Sequence, residues 1–420
     1  MGLRRLLLFV LGVAFLVGWP GLLRLAPRVS AQIPALFGAQ RVPDIEVDDK
    51  DHLFLTMSAA TNFASAGTPG SQTFITLSTD GGHSWNNLPK TQNLSNDHGE
   101  AFGPSLALTR SGKTRAFIVY HDDSGGTTQT YFVRSKKNIN FGPPFNITPG
   151  REGAFFPRIA IGSTGNLFVV WGDTANGGKQ IILLRSSDFG NNFGNPQNIS
   201  QSTGEAFLPW IAVDGSDGVN VVWEDTAPGV SSIMVSRSID GGATFSKPVK
   251  VSTGTGSANE ARIAADSSGG LDVAWIDQST GDPQLMFSRS TNGGTTFSSP
   301  VAITSSSGAL VHKPSITVFG RTVYLAYNDD SVGQVFLTQS PDLGASFSRS
   351  VQVSNANIKA CGDISKCRAH SASIAVDSTG RLHIVWIDAS IFGNDEGILF
   401  YANTTDGTKL QDGQQIFAAL

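Results

Sequence analysis

An all-β chain folded as a propeller of seven four-stranded blades is what the sequence predicts, and three observations predict it. A hairpin-like pattern recurs seven times along the 420 residues, at a beat of about 50 residues. A second short pattern follows it at the same beat. Glycine (47) and proline (19) are abundant, which favours many tight turns over long helices. The rest of the composition narrows the classes of function. Charged residues are only 15% and hydrophobic residues 40%, so the chain can bury a large core and is not a disordered polymer. Thirty Lys and Arg against 34 Asp and Glu leave a net charge of −4, without the basic excess that a phosphate backbone requires, so nucleic acid is excluded as a partner.

The chain opens on a targeting segment. Arg4 and Arg5 precede an apolar run from Leu6 to about Leu23 that Gly18 and Pro20 interrupt, and Val29-Ser30-Ala31 fits a small-residue cleavage site. This predicts a signal peptide over residues 1–31, a linker over 32–40 and the propeller over 41–420. An uncleaved membrane anchor is the competing reading, because the run could just span a bilayer. Either way the protein is expected to be exported, secreted or held at the cell surface or in the periplasm, with any membrane contact made only through an uncleaved signal.

The hairpin pattern is clearest in PRIAIGSTGNLFVVWGD (157–173), PWIAVDGSDGVNVVWED (209–225), ARIAADSSGGLDVAWID (261–277) and ASIAVDSTGRLHIVWID (372–388). Looser copies begin at Pro43, Pro104 and Pro314. Each is a β-branched run, a Gly/Asp/Ser turn and a second apolar run ending in an aromatic residue, the signature of two paired strands. The second pattern, SxDxGxxF/W, appears at 78–85, 186–193, 238–245, 290–297 and 340–347, with Asn292 once in place of Asp. A copy without glycine lies at 135–141 and a degenerate one at 404–410. Adding a strand before and a strand after this pattern makes four per repeat. Blades are expected to start near Val42, Phe102, Phe156, Leu208, Glu260, Lys313 and Ser371.

SxDxGxxF/W resembles the Asp-box, or BNR repeat, of the sialidase superfamily, and the resemblance covers about residues 40–420. It implies that the box lies in the turn between the third and fourth strands, away from the active-site mouth. It also leaves the six-bladed sialidase type as the alternative to seven blades. The residue chemistry agrees with a structural role. The carboxylate accepts backbone N–H bonds within the turn, glycine allows positive φ, and the aromatic packs between strands. Asp80, Asp188, Asp240, Asn292 and Asp342 are therefore assigned to the fold. The aromatics Tyr120, Trp171, Trp223, Trp275, Tyr327 and Trp386, and the Asp two residues after each, repeat in register and are assigned to packing and turn capping.

Chemistry is expected where the repeat is broken. Just before the first-strand Ile or Leu, the repeats carry Asp44, Ser105, Arg158, Trp210, Arg262, Ser315 and Ser373, one ring around the channel mouth. Glu100, Glu152, Glu205, Glu260, His312, Lys313, Arg368 and His370 enter from the loops above it. From these, Arg158, Arg262, Trp210, Glu205, Glu260, Arg368 and His370 are the ligand-binding candidates. Paired guanidiniums suit a carboxylated sugar, because the planar fork matches a carboxylate, and Trp210 can offer an apolar face. The structural alternative is that each arginine packs on a neighbouring blade or pairs with a nearby Glu.

The superfamily resemblance gives a specific reason to look there, since Arg158 and Arg262 match the Arg-Ile part of its Arg-Ile-Pro motif, with Ala for Pro. It further implies a Tyr nucleophile assisted by Glu and an Asp acid/base. No catalytic residue is assigned, because none of the five tyrosines stands out as a nucleophile. Cys361 and Cys367 are expected to form a disulfide in an exported protein. No metal or cofactor is called for. The expectation is an exported propeller, a monomer, that binds a glycan or an extracellular protein at its channel mouth. An exo-α-sialidase-like glycoside hydrolase with an atypical catalytic set is the alternative.

Overall fold

The computed structural model describes residues 37–61, 71–85, 91–95, 99–109, 112–137, 140–151, 153–174, 178–304, 308–356, 368–389, 397–407, 409–410 and 414–417. All of them fall within the unit Ile33–Leu420. The expected signal segment, Glu152, Cys361 and Cys367 lie outside the described residues.

Seven antiparallel sheets, each built from consecutive strands, make a seven-bladed β-propeller, and no helix occurs among the described residues. The innermost strands are Phe37–Val47, Ala101–Leu108, Ala154–Ile161, Ala206–Val213, Ala258–Ala265, Val311–Phe319 and Ala369–Val376. They begin about two residues before the expected starts, except in blade one, whose strand reaches back to Phe37 and takes in residues 37–40 of the expected linker. Second strands such as Leu167–Asp173 and Val219–Asp225 are buried along their whole length, because a neighbouring blade covers each face. That explains their apolar cores, Leu167–Trp171 and Val221–Trp223. The core is thus a ring of interblade layers. Trp171, Trp223 and Trp275 are each fully buried in one of them.

The Asp-boxes connect third to fourth strands and work as the residue chemistry requires. In blade four, Asp240 accepts the Thr244 N–H at 2.9 Å and its hydroxyl at 2.6 Å, while the Ser238 hydroxyl donates to Asp240 at 2.7 Å and accepts the Gly242 N–H at 2.8 Å. Asn292 holds the same turn in blade five, taking the Thr296 N–H at 3.0 Å. Gly242 sits at φ 79°, and a Cβ there would press on Phe168 of the preceding blade at 3.1 Å. Where the box lacks its glycine, in blade two, the edge changes. The third strand Gln129–Lys137 pairs with both Asn140–Phe141 and Phe145–Asn146, giving that blade a split outer edge.

The ring closes between blades seven and one by side chains as well as packing. The Tyr401 hydroxyl donates to the Gly81 carbonyl at 2.9 Å, and its ring meets Trp85 edge-on at 5.5 Å. Ser378 donates its N–H and hydroxyl to Asp51, both at 2.8 Å.

Candidate functional site

Every innermost strand carries a bulge at the mouth end, where its register with the second strand slips. In six blades the residue at the slip is left-handed: Gly103, Phe156, Leu208, Glu260, Lys313 and Ser371, with φ between 50° and 63°. A proline follows it in four of these blades, and a residue with no N–H leaves no orphaned donor at the irregularity. For a residue with a Cβ the left-handed conformation costs about 1–2 kcal/mol. Five blades bear that cost at one structural position, and strain of this kind collects at working sites.

The bulges and the ring two residues further on enclose a cavity of about 270 Å³ on the propeller axis. This is near the lower end of ligand-pocket sizes, usually about 300–1,000 Å³. Asp44, Arg158, Trp210, Arg262, Ser315 and Ser373 line it, as do Phe102, Phe156 and Leu208 on one arc and Glu260, Lys313 and Ser371 on the other. One wall is therefore apolar and the other polar. Ser105, the remaining member of the ring, is buried behind, where its hydroxyl accepts the Ile159 N–H at 3.3 Å.

Arginines from blades three and five meet at Trp210 of blade four. The Arg158 and Arg262 guanidinium carbons each lie 4.2 Å from the centre of the Trp210 ring. Trp210 therefore acts as the spacer that holds two cations apart, and cation–π attraction offsets part of their repulsion. Neither guanidinium has an ion-pair partner among the described residues. Arg158 donates only to the Pro157 carbonyl at 3.3 Å, with its Nε buried and unpaired, and Arg262 donates to the Ala261 carbonyl at 2.9 Å. Burial, and then the neighbouring Arg262, pull the Arg158 pKa down to about 9, against the opposing pull of Asp44. Burial likewise lowers Arg262, opposed by Glu260, Glu224 and Asp44. Asp44 accepts the Leu106 N–H at 2.9 Å, and burial raises its pKa.

The polar arc is wired from blade to blade. Glu224, at the end of the second strand of blade four, accepts the Glu260 N–H at 2.6 Å; the Glu260 carboxylate accepts the Lys313 N–H; and Lys313 Nζ donates to the Ser371 hydroxyl at 3.2 Å. Glu224 is only 2% exposed. Burial, with Glu260 adding to it, pushes its pKa up to about 7.

Of the residues singled out from sequence, Arg158, Arg262, Trp210 and Glu260 come together here. Glu205 is exposed and pairs with Lys179 at 3.3 Å; Arg368 pairs with Asp330 at 2.8 Å; His370 is buried with Nδ1 2.9 Å from the Ser371 hydroxyl. None of these three lines the cavity. Phe156, Leu208, Ser371 and Glu224 are further participants. Glu224 fills the slot between the repeated aromatic and Asp that holds His121, Gly172, Ile276, Asn328 and Ile387 in other blades, so its charge alone sets it apart there.

Seven four-stranded blades around an axial cavity define a β-propeller, and its likeness in fold is to sialidases. Solved structures share its fold. The intramolecular trans-sialidase from Ruminococcus gnavus, in complex with oseltamivir carboxylate, is 14% identical, with a TM-score of 0.50 over 89% of this chain and 96% of that one. A protein of unknown function from Dyadobacter fermentans is 16% identical, with a TM-score of 0.53 over 89% and 96%. A PL25 ulvan lyase bound to -[GlcA(1-4)Rha3S]- is 10% identical, with a TM-score of 0.54 over 92% and 96%. At these identities the likeness is one of fold. No family model and no curated protein matches the sequence.

Proposed function

We propose that this is an exported glycan-binding propeller that holds a carboxylated sugar at its channel mouth. The observation that carries the reading is the Arg158–Trp210–Arg262 stack, two guanidiniums lining a cavity without an ion-pair partner among the described residues. Unpaired, half-buried cations are costly, and a ligand carboxylate removes that cost through charge-assisted hydrogen bonds. Phe156, 41% exposed and lining the same cavity, supplies an apolar surface for a sugar ring. Two proteins of the same fold carry acidic ligands in their solved structures, oseltamivir carboxylate in one and a GlcA-containing saccharide in the other.

Binding is favoured over sialidase-type hydrolysis because none of the five tyrosines lines the cavity. Tyr120, Tyr324, Tyr327 and Tyr401 belong to the interblade cores, and Tyr131 stacks on Tyr120. A glycan array and a fluorogenic sialoside assay on the mature protein test the reading together. The expected result is retention of glycans bearing a carboxylate, with no cleavage. Retention of neutral glycans alone overturns it, and turnover of the sialoside restores the hydrolase.

A further inference from the structure

Glu224 does not share the role that its neighbours repeat from blade to blade. Trp223 before it and Asp225 after it repeat in the other blades, and the Trp223 Nε1 donates to Asp225 at 3.1 Å. Glu224 projects instead toward the inner strand of blade five, where the Glu260 N–H is its hydrogen-bond donor. Within its own sheet it stands opposite Phe207 and Ile233, which bring no charge. The charged groups that act on it are Glu260 and Arg262, both on blade five. Glu260 is in turn 3.9 Å from His312 and accepts the Lys313 N–H.

This arrangement couples the arginine floor to a carboxyl group behind the wall. Glu260, Glu224 and Asp44 act on Arg262 electrostatically, none of them close enough to pair with it. A ligand carboxylate on Arg158 and Arg262 adds a negative charge close to these three. Glu224 stands behind the wall, 2% exposed and hydrogen-bonded to the Glu260 N–H, and burial pushes its pKa up to about 7; burial raises Asp44, inside the cavity, as well. The ligand carboxylate, with the acidity of an ordinary carboxylic acid, stays ionised near neutrality.

We propose that Glu224 is the proton-holding residue of the site, so that above neutral pH a carboxylated sugar binds with net uptake of proton from solvent onto the Glu224 carboxylate. The proposal rests on the carboxylate-binding reading above and adds its pH dependence. At pH 6 Glu224 already carries the proton and the sugar binds without uptake. At pH 8 it is ionised in the free protein, and binding either draws a proton in or meets repulsion. The affinity therefore falls as pH rises through neutrality. A displacement of one pKa unit on binding makes it about fivefold weaker at pH 8 than at pH 6.

Calorimetric titration of the full mature protein with D-glucuronate and with N-acetylneuraminate, at both pH values and in two buffers of different ionisation enthalpy, tests this. N-Acetylglucosamine serves as the neutral control. Wild type should bind an acidic sugar about fivefold more weakly at pH 8, with net proton uptake there. Glu224→Gln keeps an oxygen for the Glu260 N–H and should bind equally at the two pH values, without uptake. Wild-type affinity that does not change with pH, or an unchanged pH dependence in Glu224→Gln, overturns the proposal and leaves the carboxylate site standing. If neither acidic sugar binds at either pH, the carboxylate reading itself falls. Should the variant fail to fold, Asp44→Asn, which leaves Glu224 in place, should keep the proton uptake at pH 8, and its loss there overturns the proposal.

Discussion

The two ends of the propeller obey opposite rules. At the Asp-box end, one hydrogen-bonding scheme is written in blade after blade, and even the Asn292 substitution preserves it. At the mouth, one backbone irregularity repeats but its side chains differ in every blade, Phe156, Leu208, Glu260, Lys313 and Ser371 in turn. The backbone is the invariant there, and the side chains are the variables. Repetition marks what the ring needs to stand, and departure from it marks what a ligand meets. A residue's behaviour on substitution should follow from which rule governs it.

The largest effect is expected in the repeated packing layer. Trp223→Ala removes a fully buried indole that donates to Asp225, and should lower stability by about 3–5 kcal/mol in denaturant unfolding. Trp275 is equally buried, but its Nε1 has no partner among the described residues, so Trp275→Ala should cost less than Trp223→Ala. Equal losses would mean that the hydrogen bond adds nothing to the layer.

Glu224 should behave in the opposite way. Its folded-state pKa of about 7 lies above the ordinary 4.5, so the folded protein keeps a proton that the unfolded chain releases. Stability from this group is complete below about pH 4.5 and is lost as pH rises toward 7. Glu224→Gln does not titrate and should be more stable than wild type at pH 8, by on the order of 1–3 kcal/mol, with the gap closing at pH 4.5. Thermal unfolding at the two pH values checks this, and a gap that stays constant would contradict it.

Phe156→Gly should change stability little, because relief of the Cβ penalty at φ 51° is offset by glycine's greater freedom in the unfolded chain and by loss of the ring's buried part and its edge-on contact with His121. The same change should weaken sugar binding, and that contrast separates the mouth from the packing layer. The smallest effect is expected from Asp240→Asn, which copies blade five. Hydrogen bonds from Thr244 and Ser238 hold the Asp240 carboxyl far below the usual range, so whatever the charge contributes is fully present near neutrality and vanishes under strong acid; the loss should be slight because the carboxyl is exposed and Asn292 holds the same turn in blade five. A large drop in melting temperature at pH 7 would show that the charge itself matters in the box.

The seven blades were legible because a period of about 50 residues cannot be hidden in a propeller, where every repeat must solve the same packing problem. The ring of Arg158, Trp210 and Arg262 was legible for the same reason, since it occupies one register position. The bulge was not. It needs a left-handed residue before Pro or Ala, and nothing in Phe156 or Leu208 announces positive φ. Trp210 read as an open platform because the sequence does not say that arginines from both neighbouring blades come to lie against its ring. Glu224 was obscured by the Trp and Asp that flank it. The split edge of blade two had a sign in the missing glycine at 135–141, but its second short strand, Phe145–Asn146, did not.

The central claim is that Arg158 and Arg262 together hold a carboxylate, and affinity for an acidic sugar in Arg158→Ala and Arg262→Ala tests it most directly. Calorimetry or saturation-transfer NMR at pH 6, with circular dichroism to confirm the fold, gives the comparison. Loss of one charge-assisted partner is worth about 1.5–3 kcal/mol, so each variant should bind on the order of ten- to a hundredfold more weakly than wild type. Stability should change little in Arg158→Ala, because relief of a half-buried cation without an ion-pair partner among the described residues offsets the lost stacking on Trp210. Two folded variants that bind as tightly as wild type would show that the arginines serve the ring alone, and the claim would be wrong.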